Sequence, residues 1–232
     1  MSQSVVVLPT YNEKDNIEGF LRELLSTNPD LNVLVVDDNS PDGTADIVRK
    51  FEDDPRVNLM VREKKEGLGR AYVAGMKWAL ERDFQYIIQM DADYSHRFVD
   101  LIRMRETTSH ADFLVGARWI PGGGIENWSW QRRFLSISAN IYVQTLLGHR
   151  LHDWTGGFNI WRRDVLEKIQ LESLEAHGYC FQIELKYQAL RLKFRPLEVP
   201  IIFEERRHGV SKMALPIIIE ALFKVWFMRF LK

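Results

Sequence analysis

Residues 5–13, Val-Val-Val-Leu-Pro-Thr-Tyr-Asn-Glu, and residues 33–38, Val-Leu-Val-Val-Asp-Asp, decide how this chain reads. Each is a short apolar, β-rich run that stops at polar residues, the pattern of a strand buried on both faces. Between them Ile17, Phe20, Leu21, Leu24 and Leu25 recur at helical spacing, with Asn12 and Asp15 as capping candidates. The alternation continues outward. A turn at 39–43 leads to a helix carrying Ile47, Val48 and Phe51, then a strand at 57–61 and a helix at 68–82. A strand at 86–90, a helix at 98–105 and a strand at 113–115 follow. Doubly buried strands alternating with helices predict an α/β fold, with a mostly parallel, Rossmann-related sheet and helices on both faces.

The C-terminal half is more elaborate. Residues 119–130, with three consecutive glycines between tryptophans, read as a mobile loop. A helix at 131–147, a Gly-containing segment at 153–161, a helix at 181–192 and a strand near 197–203 lead to the basic run 204–213. With no repeat and no long linker, the expected organisation is one domain over 1–212 and an apolar helix over 213–232.

The chain has 232 residues, 46% of them hydrophobic and 27% charged, enough for a large core. A net charge of -1 speaks against a nucleic-acid binder driven by bulk charge. The single cysteine, Cys180, rules out a disulfide framework, fits a reducing compartment and reads as a core residue. The start lacks the basic region of a secretory signal, and no run of about 18 uncharged apolar residues spans a bilayer. The helix after Pro216 is apolar over most of its circumference but broken by Glu220, Lys224 and Arg229. Core packing, a partner, or a membrane interface can each satisfy it.

Ligands of open α/β sheets bind beyond the carboxyl ends of the strands. Polar clusters fall there at 9–13, at Asp37-Asp38 and at Asp91-Ala92-Asp93. No G-x-G-x-x-G follows the first strand, which weighs against a dinucleotide enzyme, and Gly67-Leu68-Gly69-Arg70 reads as helix packing. Asp91 and Asp93 project to one side of a strand end, where two carboxylates repel unless protonated or bridged by a cation. Mg²⁺ or Mn²⁺ shared with substrate phosphates relieves that repulsion; a solvated pair capping the next helix is the plainer reading. His149 and His152 have metal-binding spacing but no third ligand nearby, and read as surface or packing residues. Trp119, Trp128 and Trp130 either pack the core or lie at a membrane interface.

Taken in order, PTYNE (9–13), VVDDNSPDGT (35–44), REKKEGLGRAY (62–72), MDADYSH (90–96), GAR (116–118) and RRHGVSK (206–212) resemble the dolichol-phosphate mannose synthase branch of inverting glycosyltransferases. The resemblance covers Val5 to about Lys212 and implies a GT-A fold. It implies a nucleotide pocket at Pro9, Tyr11, Glu13, Val36 and Asp38, and a donor-sugar site at Asp91 and Ala92. It implies a Mg²⁺ or Mn²⁺ on Asp93 with Asp91, and phosphate contacts from Arg118, Arg206 and Lys212. Arg133 joins these by its place after the Gly-Trp loop; without the resemblance, Arg206 and Arg207 read as a solvated basic turn. Two departures stand out: Ser95 where some relatives carry a metal-binding Gln, and Thr155-Gly156-Gly157-Phe158-Asn159 where many read T-S-G-F-R.

The implied reaction moves mannose from GDP-mannose to a polyprenyl phosphate with inversion. Asp93, Arg118 and Arg133 are the implied catalytic residues. The expected partners are a membrane surface or a small membrane-anchoring subunit, with no nucleic acid. The expected location is the cytoplasmic face of a membrane. UDP-glucose or another donor is the alternative within the same chemistry; an inactive sugar-nucleotide-binding accessory subunit is the alternative outside it.

Overall fold

The computed structural model of the chain describes residues 4–174, 179–205 and 215–230. The N-terminal half lays down β1 (Ser4–Thr10), α1 (Lys14–Thr27), β2 (Asn32–Asp37), α2 (Thr44–Arg49), β3 (Val57–Val61), α3 (Leu68–Leu80) and β4 (Tyr86–Gln89). Then come α4 (Phe98–Glu106), β5 (Phe113–Ala117), β6 (Gly124–Ile125), α5 (Trp130–Leu147), β7 (Asn159–Arg162), α6 (Arg163–Lys168), α7 (Tyr179–Arg191), β8 (Pro196–Pro200), β9 (Ile202–Phe203) and α8 (Leu215–Phe230).

The main sheet has the order β3-β2-β1-β4-β7-β5-β8. β1, β2, β3 and β4 are parallel, as are β5 and β8, while β7 runs antiparallel to both β4 and β5. The chain winds from β1 outward to β3, then crosses back to place β4 on the other side of β1. That reversal leaves a crevice at the carboxyl ends of β1 and β4, where doubly wound sheets take their ligands.

Alternation along each strand feeds two cores. Val5, Val7, Leu34 and Val36 face α3 and the C-terminal helices, and Val6, Leu8, Val33 and Val35 face α1 and α4. All eight are fully buried, each contributing about 1.5–3 kcal/mol relative to exposure. Val36, expected beside a nucleotide, sends its side chain into this core. Alternation along β2 puts it on the α3 side with Leu34, where the helix lies so close that a Cβ on Gly75 would come 2.4 Å from Val7 Cγ1 and 3.1 Å from Val36 Cγ2.

Several expectations are corrected. β1 does not stop at Pro9, which pairs with Val36 and loses no ladder bond that it could have donated. α1 begins after Glu13 with no side-chain cap, so neither Asn12 nor Asp15 caps it, and Phe51 lies beyond the end of α2. The antiparallel strand β7 overlaps the end of the Gly-containing segment, and helix α6 follows it, where the sequence suggested no element. The loop at 119–130 contains β6, which pairs in parallel with β9. A Cβ on Gly123 would meet the Ala117 carbonyl oxygen at 2.5 Å, so glycine permits this close return. α8 packs on α5 and α7 and buries Val225 and Met228.

Gly75→Ala should lower the urea midpoint of unfolding. Overpacking against Val7 costs about 1–3 kcal/mol, more than the ~1 kcal/mol that alanine returns in helix propensity. An unchanged or raised midpoint would show that α3 can lift off the sheet without loss.

Candidate active site

The crevice at β1 and β4 is built by turns whose backbone groups are satisfied by side chains. Asn12, Asn39 and Tyr94, one just past each of β1, β2 and β4, adopt left-handed φ values of 61°, 55° and 64°. Non-glycine residues rarely hold this conformation unless surrounding contacts enforce it. The Asn12 turn is braced from the 39–44 turn. Ser40 Oγ accepts the Asn12 N–H at 3.0 Å, Thr44 Oγ1 accepts that of Glu13 at 3.0 Å, and Asp42 Oδ2 accepts that of Lys14 at 3.1 Å. Asp37, fully buried, in turn accepts Thr10 Oγ1, Ser40 N and Ser40 Oγ at 2.8, 2.8 and 2.6 Å. The Ser-Pro-Asp-Gly-Thr turn is thus a scaffold for the β1 loop.

The segment after β3 folds over this loop. Arg62 Nη1 donates to Asp38 Oδ1 at 2.6 Å and Nη2 pairs with Glu66, while Lys65 Nζ stands 3.6 Å from the Tyr11 ring centroid. Tyr11 and Asp38 therefore meet cations of the chain itself on the side proposed for a base or ribose. Pro9 is half-buried beside them, and Glu13 Oε2 accepts Asn16 Nδ2 at 2.8 Å.

Asp91 and Asp93 leave the end of β4 at the crevice. Tyr72 Oη donates to Asp91 Oδ1 at 3.1 Å; burial, with the neighbouring carboxylate charges, pushes the Tyr72 phenol well above its ordinary range and keeps it a donor. Asp93 Oδ1 accepts Ser95 N at 3.0 Å and Ser95 Oγ at 2.6 Å, and Ala92 between them is buried in the core. His96 Nδ1 accepts the Asp91 N–H at 3.3 Å while its ring stacks on Phe158 with centroids 4.7 Å apart. His96 is a brace beneath the carboxylates.

Among the described residues no third Asp, Glu, His or Cys joins the pair as a metal-binding group. Two hard carboxylates that leave the remaining positions to water or substrate oxygens match the habit of Mg²⁺ and Mn²⁺ at phosphate sites. His149 and His152 make no metal group either; His152 Nδ1 lies 2.6 Å from Glu198 Oε2.

A second polar cluster lies beneath the far wall, and it engages Arg118. The buried guanidinium grips the fully buried Asp153, Nε to Oδ2 and Nη2 to Oδ1 both at 2.7 Å, with Nη2 also 2.8 Å from Thr155 Oγ1. Arg118 was expected to face a phosphate; its fork instead holds a carboxylate, which makes it first an organiser of the 153–156 turn. Burial opposes the Asp153 charge, but the Arg118 guanidinium prevails and holds the carboxyl below its usual range. Lys186, fully buried on α7, donates to the carbonyls of Asp153, Trp154 and Gly156 at 2.9, 3.1 and 2.8 Å. Asn140 of α5 accepts the N–H groups of Trp154 and Thr155 at 2.7 and 3.3 Å. Arg133 hydrogen-bonds the Ile125 carbonyl through Nη2, joining α5 to β6. Arg206 and Lys212 lie outside the described residues.

The crevice thus gathers Pro9, Tyr11, Glu13, Asp38, Asp91 and Asp93 at the carboxyl ends of β1, β2 and β4, while Arg118 and Arg133 stand by the β6–β9 ribbon. Arg62, Tyr72, Asp153 and Lys186 were not singled out from the sequence. Asp153 and Lys186 carried no signal there, since each has other polar or charged residues within three positions.

The model of glycosyl transferase family 2 matches residues 5–170. The chain is 44% identical over 226 residues to the polyprenol monophosphomannose synthase of Mycolicibacterium smegmatis, covering 96% of this chain and 85% of that protein. It is 41% identical to the undecaprenyl-phosphate mannosyltransferase of Micrococcus luteus, covering 95% and 91%. Two solved structures share the fold at 16% identity. One is glucosyl-3-phosphoglycerate synthase of Mycobacterium tuberculosis with Mn²⁺, UDP and glucosyl-3-phosphoglycerate (TM-score 0.69, covering 98% and 80%). The other is a mannosyltransferase of Pyrobaculum calidifontis with GDP-Man and Mn²⁺ (TM-score 0.61, covering 97% and 69%).

The buried lysine makes a test of the inner cluster. Burial outweighs the Asp153 charge and brings the Lys186 ammonium down to about 7. An unfolded lysine titrates near ~10.4, so between about pH 7 and 10 the unfolded chain binds the extra proton and raising the pH favours the native state. Lys186→Met should cost on the order of 3 kcal/mol through three orphaned carbonyls. The stability gap between wild type and variant should widen from pH 7 to pH 9 in denaturant titrations. A gap that stays constant would mean that the ammonium remains charged throughout.

Proposed function

The chain belongs to glycosyl transferase family 2, and from that premise we propose that it transfers mannose from GDP-mannose to a polyprenyl monophosphate with inversion. The products are polyprenyl-phosphate mannose and GDP. One observation carries the reading: two relatives above 40% identity, each aligned over at least 95% of this chain, are both named for mannosyl transfer to polyprenyl phosphates. The carboxylate pair at the sheet's reversal supports it, because a sugar nucleotide needs its diphosphate charge offset where the glycosidic bond breaks.

On this reading the acceptor phosphate oxygen forms the new bond to the anomeric carbon while the bond to the GDP oxygen breaks. The acceptor is already anionic near neutral pH, so no side chain has to remove a proton, and His96 is left to its bracing role. Asp91 and Asp93 hold a divalent cation, which when bound offsets charge on the departing diphosphate. Tyr72 and Ser95 orient the two carboxylates through the hydrogen bonds they donate. Pro9, Tyr11, Glu13 and Asp38 receive the nucleoside, with Val36 contributing through its backbone and Ala92 lining the sugar side. Lys65 lies over Tyr11 and Arg62 on Asp38, so a nucleoside entering here shares or displaces these contacts. Arg133, Arg206 and Lys212 screen the repulsion between the two phosphorylated substrates, while Arg118, spent on Asp153, serves by holding the 153–156 turn beside them.

Residues 1–212 form the transferase domain on this reading, with 213–232 as its appended helix. The enzyme works at the cytoplasmic face of a membrane, where its lipid acceptor resides.

Asp93→Asn tests the cation role and keeps the oxygen that Ser95 uses. The variant should melt near wild type, yet lose the extra thermal stabilisation that GDP-mannose gives when Mn²⁺ is added. Radiolabelled mannose transfer should fall about a hundredfold or more, as expected when several kcal/mol of charge stabilisation is lost. Near-normal transfer at saturating donor would remove Asp93 from the cation site.

A further inference from the structure

α7 is buried on every side over residues 180–187, and a lysine stands within that stretch. Lysine ordinarily stays at the surface, or buries its stem and keeps its ammonium in water. Lys186 has no exposure at all. Its ammonium meets three carbonyls of one turn, those of Asp153, Trp154 and Gly156, one for each N–H group it carries. No step of the transfer uses this group directly.

The turn that Lys186 holds is shared by both sides of the site. On one side, the Asp153 carboxylate binds the backbone N–H, Nε and Nη2 of Arg118. The Arg118 guanidinium in turn lies 5.6 Å from the Phe203 ring centroid and 5.9 Å from that of Trp128, against the β6–β9 ribbon. On the other side, the Gly156 carbonyl also accepts Asn159 Nδ2 at 3.4 Å, and the same nitrogen donates to Gln89 Oε1 at 3.1 Å. Gln89 ends β4, just ahead of Asp91 and Asp93. One ammonium therefore bears on the elements that set the carboxylate pair and on those that set Arg118.

The proton matters to this geometry. An ammonium offers a donor to each of three carbonyls; a neutral amine offers two and turns its lone pair on the third. Asp153 in the turn and Glu198 of β8 favour the charged form, while Arg118 at the end of β5 opposes it; burial is the largest influence and brings the group down to about 7. We propose that Lys186 is a positioning residue of the transfer reaction. Its ammonium holds the 153–156 turn so that the end of β4 and the Arg118 side of the crevice keep the relative placement that transfer requires, and the neutral amine does not. The proposal rests on the mannosyl-transfer reading and adds to it a residue that acts without touching substrate. A misplacement of about 1 Å between reacting groups costs up to ~100-fold in rate, so the loss falls on kcat while the donor still binds.

The experiment measures kcat for mannose transfer by the full chain across pH at saturating donor, acceptor and Mn²⁺, beside an NMR titration of the lysine side chains. In wild type, kcat should rise as the acceptor phosphate loses its second proton near ~6 and fall severalfold between about pH 7 and 8.5. One lysine signal should titrate with the midpoint of that fall, far below the ~10.4 of exposed lysines. Unfolding does not mimic the fall, because a lysine held below its usual range makes the native state more stable as pH rises. Lys186→Met should lower kcat at least about tenfold relative to wild type at about pH 6.5 and show no alkaline fall, with the Mn²⁺-dependent stabilisation by GDP-mannose unchanged. Lys186→Arg, which stays charged, should recover part of kcat and also lose the alkaline fall. A wild-type kcat that stays flat from about pH 7 to 8.5, or whose midpoint departs from the lysine's by more than about one pH unit, overturns the proposal without any variant having to fold. So does a folded Lys186→Met enzyme with normal kcat, or one whose loss is confined to the KM for GDP-mannose. If wild type transfers no mannose at any pH, the functional reading fails and takes this role with it; transfer with a flat profile overturns the positioning role alone.

Discussion

The carboxylate of Asp153 has no exposure to water, and a charge in that position survives only if the chain surrounds it with donors. Arg118 supplies its backbone N–H and two side-chain nitrogens, and Gly156 supplies a further N–H at 3.0 Å. Glu198 of β8 holds the N–H groups of His152 and Asp153, while Lys186 and Asn140 fix the turn from α7 and α5. One ion pair thus joins the end of β5, the approach to β7, and helices α5 and α7. Removing either charged partner leaves the other buried and unpaired, at a typical cost of about 3–5 kcal/mol.

The crevice at β1 and β4 depends on this cluster indirectly. β7 lies between β4 and β5, and Gln89 at the end of β4 accepts Asn159 Nδ2 at 3.1 Å and Trp161 Nε1 at 2.6 Å. Asn159 also donates to Gln182 of α7 at 3.2 Å. The strand that delivers Asp91 and Asp93 is therefore set against the same elements that surround Asp153. The left-handed turns at Asn12, Asn39 and Tyr94 complete the rim, their conformations enforced by Asp37, Ser40, Asp42 and Thr44 on one side and by Ser95 on the other.

Residues within the motifs divide between substrate-facing and structural tasks. Asp37 and Asp42 spend their oxygens on Thr10, Ser40, Lys14 and Thr44, so they shape the loop next to the pocket. Asp38, one residue on, faces Arg62 across the opening. β4 ends at Gln89, so Asp91 and Asp93 sit in the turn beyond it, where Tyr72 donates to the one and Ser95 to the other. α5 has two faces of opposite character: the inner one braces the Asp153 turn through Asn140, and the outer one carries exposed apolar side chains.

Periodicity and strand-end polarity in the sequence were enough to determine the first five strands, their helices and the carboxyl-end position of Asp91 and Asp93. Those signals are local: a doubly buried strand must be apolar throughout, and it must become polar where it meets solvent. The short β7 escaped because it opens on a buried Asn and closes on an Arg, and the Asn amide is tolerable there through Gln89, Gln182 and the Gly156 carbonyl. Tyr72, Arg62 and Lys186 escaped for the same cause. Their partners lie 19, 24 and 30 or more positions away, and those of Lys186 are backbone carbonyls, which leave no mark in composition. Tertiary structure alone decided that Arg118 grips Asp153 and that Val36 faces α3. A side chain's burial and its charge partner depend on which distant segment folds against it, and spacing along the chain does not record that.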